Sequence, residues 1–156
     1  MHIRGLLAFL HDVMAAALAW CVAYWLRFNL ELTEDYLGAM LRQLPYVLAV
    51  HVAVFWLLGL YRGIWRYASL PDLQRILVAV GIGALATPAL LTLLGQGALV
   101  PRSVYLLAPA LLAGAMGGSR LAYRAWKEGR LIALVAHPEA SPVLVLGAGD
   151  AAALLL

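Results

Sequence analysis

The chain has 156 residues, of which 65% are hydrophobic and 12% charged, with a mean hydropathy of +0.89. A soluble domain averages about 45–50% apolar and about 25% charged residues, so the composition excludes an ordinary soluble protein and predicts a membrane protein. The formal charge of +3 would admit nucleic acid as a partner. The basic residues, however, sit beside apolar segments, as membrane-flanking charges do, and the lipid bilayer rather than nucleic acid is the expected partner. The single cysteine, Cys21, excludes an internal disulfide and any cysteine-built metal site.

Leu6–Leu26 is the first predicted span, about 31 Å long at the helical rise and matched to the hydrocarbon thickness. A cleaved signal peptide is the competing reading, but His11 and Asp12 interrupt the apolar core and the segment runs past any small-residue cleavage site. Trp20, Tyr24, Trp25 and Phe28 give this helix an aromatic end. Asn29–Gln43 reads as a polar loop, and Leu44–Tyr61 as the second span, with Pro45 in its first turn.

Gly59–Leu73, GLYRGIWRYASLPDL, links the second span to the third. Tyr61, Arg62, Trp65, Arg66 and Tyr67 fall within seven positions, a mixture suited to the membrane–water boundary, where rings sit at headgroup level and arginine reaches phosphate. Arg62 and Arg66 could hold a lipid phosphate or a substrate pyrophosphate, or serve only as topology-setting anchors. Ser69-Leu70-Pro71-Asp72 has the form of a helix start. The third predicted span is Ile76–Val100, with a kink expected at Thr87-Pro88 and a turn at Gly95-Gln96-Gly97. The fourth runs from Ser103 to Trp126 and is flanked by Arg120, Arg124, Lys127 and Arg130.

Four spans place both ends on one side. Eight of the 11 basic residues then fall with the termini, and only Arg27, Arg42 and Arg102 fall opposite. The positive-inside rule makes the termini cytoplasmic. Within the spans, Asp12 reads as a paired interfacial carboxylate, grouped with His11 and Arg4, with an ion or substrate site as the competing role. His51 reads as an interhelical hydrogen-bonding residue. Gly114-x-x-x-Gly118 offers a flat face for packing within the bundle or between protomers.

After Arg130, residues 131–142 read as a linker, by the prolines and polarity of His137–Pro142, with Leu131–Ala136 open to being the tail of the fourth helix or a short strand. Val143–Leu146 then reads as a buried strand, and Gly147-Ala148-Gly149-Asp150-Ala151-Ala152 opens a helix. This is the first half of a Rossmann-like βα unit with a G-x-G-x-x-A pattern, in which Gly147, Gly149 and Ala152 would approach a pyrophosphate. A unit this short cannot bury a core, and the reading is of a longer protein truncated here. The expected fold class is therefore an all-α membrane protein, a four-helix bundle followed by the start of an α/β domain.

Taken together, the four spans, GLYRGIWRYASLPDL and PVLVLGAGDAA resemble the amino-terminal part of the bacterial membrane-bound polysaccharide-biosynthesis proteins, the nucleotide-sugar 4,6-dehydratases and epimerases. The resemblance implies a bacterial inner-membrane, homo-oligomeric enzyme that uses NAD or NADP on a UDP-linked sugar through a second domain beyond Leu156. It implies no catalytic residue and no bound cofactor within residues 1–156, where Gly147, Gly149 and Ala152 correspond to an ancillary domain. An alternative is the amino-terminal region of a polyprenyl-phosphate sugar-1-phosphate transferase. A transporter or channel should show paired intramembrane charges or repeat symmetry, and the sequence displays neither.

Overall fold

The computed structural model describes residues 3–61 and 70–128. They form four helices: α1 (Ile3–Arg27), α2 (Glu34–Leu57), α3 (Leu70–Leu93) and α4 (Val104–Glu128). Each is long and apolar enough to cross a membrane, which marks the chain as a multi-pass membrane protein. Each packs against its sequence neighbours, and α1 closes the ring against α4. α1 begins and α4 ends at one end of the bundle, here the terminal end; the α1–α2 and α3–α4 connections form the far end. The expected strand at Val143–Leu146, the linker and the glycine motif at Gly147, Gly149 and Ala152 lie outside the described residues.

Small residues take most of the inward positions of α1, and its large aliphatic ones face out. On α1 the buried positions are Ala8, Asp12, Ala15, Ala16, Ala19, Trp20, Ala23 and Tyr24, a stripe at three- and four-residue spacing. Leu7, Met14, Leu18 and Trp25 of the same helix are exposed. In water this arrangement would be inverted. Between hydrocarbon chains, burying leucine gains nothing, whereas alanine lets two backbones approach and gain dispersion and polar contacts. Leu85, Leu93 and Leu106 face outward on the other helices for the same reason.

Three helix ends are closed alike. A residue with positive φ follows the helix, and the next amide reaches back five positions: Leu30 N–H to Trp25 O (2.8 Å) beyond Asn29 (φ 53°), Leu60 N–H to Phe55 O (3.1 Å) beyond Gly59 (φ 65°), and Gln96 N–H to Leu91 O (2.7 Å) beyond Gly95 (φ 67°). This explains why α3 stops at Leu93 rather than at Val100, and why α2 stops at Leu57 rather than at Tyr61.

The stretch Asn29–Gln43, expected as a loop, is helical from Glu34 onward. Thr33 stands at the N-cap with extended backbone, and Glu34 and Asp35 in the first turn oppose the helix dipole. The polar residues therefore start the helix instead of preceding it, and Ala39, Met40 and Gln43 are buried within the bundle. α3 starts at Leu70, as the Ser69–Asp72 pattern predicts, and remains one helix through Pro88.

Candidate functional site

The most charged constellation in the described residues lies at the terminal end. Asp12 of α1 is fully buried, and Arg120 of α4 donates from Nη2 to its Oδ2 at 3.2 Å. The other terminal nitrogen of Arg120, Nη1, donates to Asp72 Oδ2 on α3 at 3.0 Å. His11 Nδ1 stands 3.0 Å from Asp12 Oδ1. One guanidinium thus spans two carboxylates and pins three helices together.

Local structure explains each position. Arg120 ends the row Val104, Ala108, Leu112, Met116, Arg120, all buried and spaced one turn apart, so the helix aims it inward. Asp72 occupies the first turn of α3, where a carboxylate opposes the dipole before it meets any partner. Asp12 lies seven residues inside the span that begins at Gly5, roughly 10 Å in at the helical rise. A lone carboxylate at that depth is strongly disfavoured, and a planar guanidinium is the side chain suited to holding two at once.

Tyr61 completes the cluster. Its ring packs inward at the end of the bundle, meeting Phe9 edge-on with centroids 5.5 Å apart, and its hydroxyl is buried. Burial raises its pKa above the ordinary tyrosine value, and the Asp12 charge adds to the effect while Arg120 opposes it. Arg62, Trp65, Arg66 and Tyr67, the rest of the expected interface group, lie outside the described residues.

This cluster corrects two expectations. Paired charges within the spans are present, although the sequence displays none, because their partners come from opposite ends of the chain. Arg120 is also not an outer flank of α4 but a buried part of it.

At the far end a neutral network does the same work. The Tyr24 hydroxyl donates to Gln43 Oε1 at 2.6 Å, and Gln43 Nε2 donates to Gln96 O at 2.8 Å. Tyr24 also lies 3.3 Å from Leu99 O. α1 and α2 are thereby tied to the α3–α4 connection. Beside it opens a recess of about 470 Å3, lined by Arg27, Phe28, Tyr36, Arg102 and Ser103. Arg27 at the end of α1, Tyr36 in the first turn of α2 and Arg102 just before α4 together suit headgroup phosphate chemistry.

Two further expectations change. His51 bonds within its own helix, Nδ1 to Val47 O at 2.8 Å, instead of to another helix. Its ring packs so tightly on α3 that a β-carbon at Gly83 would stand 2.9 Å from Nε2. Gly114 and Gly118 meet nothing within the bundle; it is Gly117 that Leu73 approaches, with Cδ1 at 3.1 Å from a β-carbon there. Among the described residues no three potential metal ligands gather.

Comparison with known proteins returned no matching family model, no matching curated protein and no matching solved structure.

Proposed function

We propose that residues 1–128 are a membrane-anchoring module that holds a nucleotide-sugar-modifying domain at the cytoplasmic face of a bacterial inner membrane. The observation that carries the reading is the Arg120 clamp. It fixes α1, α3 and α4 to one another at the end of the bundle from which the chain leaves α4 toward the glycine motif at Gly147. An anchor needs a rigid exit point, and an arginine held by two carboxylates supplies one.

The paired charges do not favour a transport role. They sit at one end, Asp12 is fully enclosed, and the interior toward the far end holds the buried side chains of Trp20, Tyr24, Leu91 and Val104. The basic bias toward the terminal end supports a cytoplasmic placement of both termini. The enzymatic part rests on the resemblance of GLYRGIWRYASLPDL and PVLVLGAGDAA, with NAD or NADP and a UDP-linked sugar as cofactor and substrate of the attached domain. Joining such an enzyme to the bilayer raises the concentration of its product where membrane-embedded acceptors are used.

The test compares source-cell membranes with and without the gene for this polypeptide, incubated with UDP-N-acetylglucosamine. Gene-dependent formation of a 4-keto-6-deoxy sugar nucleotide is the expected result. Gene-dependent transfer of sugar phosphate to a polyprenyl phosphate would replace this reading with the transferase one.

A further inference from the structure

Midway along the bundle, all four helices contribute to one small cavity. It has about 20 Å3 of room for a water centre and is lined by Trp20 of α1, His51 of α2, Ala84 and Thr87 of α3, and Tyr105 and Pro109 of α4. Its surroundings are apolar, yet the groups it gathers are not. The Trp20 indole N–H and the Thr87 hydroxyl are both buried without a hydrogen-bond partner in the protein. An orphaned donor in such a place carries the full cost of its lost hydration.

The third polar group has a defined state. His51 Nδ1 lies 2.8 Å from the Val47 carbonyl, which can only accept, so Nδ1 carries the proton. In the neutral ring Nε2 is then an acceptor. It faces α3 at Gly83, one helical turn from Thr87.

The two prolines add acceptors. Pro88 has no N–H to offer the carbonyl four residues earlier, that of Ala84, and Pro109 likewise leaves the carbonyl of Tyr105 without its regular helical donor. Ala84 and Tyr105 both line the cavity. Donors on α1 and α3 therefore converge with acceptors on α2, α3 and α4.

We propose that this cavity is a binding site for a single water molecule that links the four helices at the centre of the membrane. Water accepts from the Trp20 N–H and from the Thr87 hydroxyl, and it donates to His51 Nε2 and to one of the proline-freed carbonyls. Size and polarity both fit: one buried water needs about 10–15 Å3 of such room and two to four polar partners. A bare metal cation of similar size would leave the Trp20 N–H and the Thr87 hydroxyl proton without an acceptor. An apolar occupant would leave both donors unpaired.

The test is water-edited solid-state NMR on the isotopically labelled full chain in lipid nanodiscs, with the Trp20 indole assigned through Trp20→Phe. Magnetisation transfer from a long-lived water to Trp20 Nε1 is expected, with His51 Nε2 unprotonated at neutral pH. Thr87→Val should abolish that transfer, Thr87→Ser should retain it, and Ala84→Val, which fills the space, should abolish it independently. A Trp20 indole with no water transfer in the unaltered protein overturns the proposal. So does a transfer that survives both Thr87→Val and Ala84→Val, a protonated His51 Nε2, or an indole resonance that shifts when Na+ or K+ replaces a bulky organic cation.

Discussion

Arg120 and Asp12 stand 108 positions apart in the chain, yet the Arg120 guanidinium donates to the Asp12 carboxylate at 3.2 Å inside the bundle. Neither residue is tolerable there alone. Their pairing converts the two most unfavourable side chains of α1 and α4 into a lock between them, and Asp72 completes the lock from α3.

Breaking that lock one partner at a time should be costly. Arg120→Met leaves Asp12 buried and unpaired and is expected to lower stability by about 3–5 kcal/mol. Asp12→Asn combined with Arg120→Met removes both charges and should recover a large part of the loss. Thermal unfolding in a mild detergent measures both. Additive losses in the double variant would show that the two residues do not interact.

The far-end network should respond more mildly, because it is neutral. Tyr24→Phe removes one donor and leaves Gln43 Oε1 without its partner, an expected loss of about 1–3 kcal/mol. Gln43→Leu removes the amide that reaches Gln96 and should be non-additive with Tyr24→Phe. A double-variant unfolding cycle reads the coupling directly.

Gly83→Ala should destabilise the α2–α3 contact through sterics alone. The added carbon would meet His51 Nε2 at 2.9 Å, so the ring must move and its bond to Val47 O must stretch or break. Gly81→Ala, where a β-carbon meets nothing, is the matched control and should be slightly stabilising, since alanine favours the helix over glycine. Equal effects at the two positions would refute the contact.

Alkaline pH should loosen the terminal end. The Tyr61 pKa is raised in the folded protein by burial and by Asp12, so the phenol stays neutral there while the unfolded chain ionises near pH 10. The folded state's advantage is complete below about pH 10 and falls as pH rises beyond it. Tyr61→Phe should reduce that alkaline loss of stability, measured by unfolding from pH 8 to pH 11.

Cysteine labelling tests the orientation. Probes at Glu34 and Ala98 should react from the non-cytoplasmic side, and a probe at Met1 from the cytoplasm. Cytoplasmic labelling at Glu34 would invert the proposed placement.

The sequence by itself determined the number of helices, because apolar runs long enough to cross hydrocarbon allow few alternatives. It determined where α3 begins and the turn at Gly95, since glycine tolerates positive φ, but not that Gly59 ends α2 before Tyr61. It did not determine where α2 begins. The uncharged run begins only after Arg42, whereas the helix begins at Glu34 and Asp35, whose carboxylates oppose the helix dipole.

Only the tertiary structure decided what the polar residues do. Asp12 reads as paired only with its neighbours His11 and Arg4, and Asp72 and Arg120 read singly as residues near a membrane boundary, because pairing between distant segments leaves no local spacing to detect. Gln43 read as the end of a loop and proves to be a buried bridge, and the orphaned groups of Trp20 and Thr87 become visible only once four helices enclose them. Composition and periodicity report which segments prefer lipid to water. Which side chains meet inside depends on the rotation of each helix about its axis, and that is fixed by packing between all four at once.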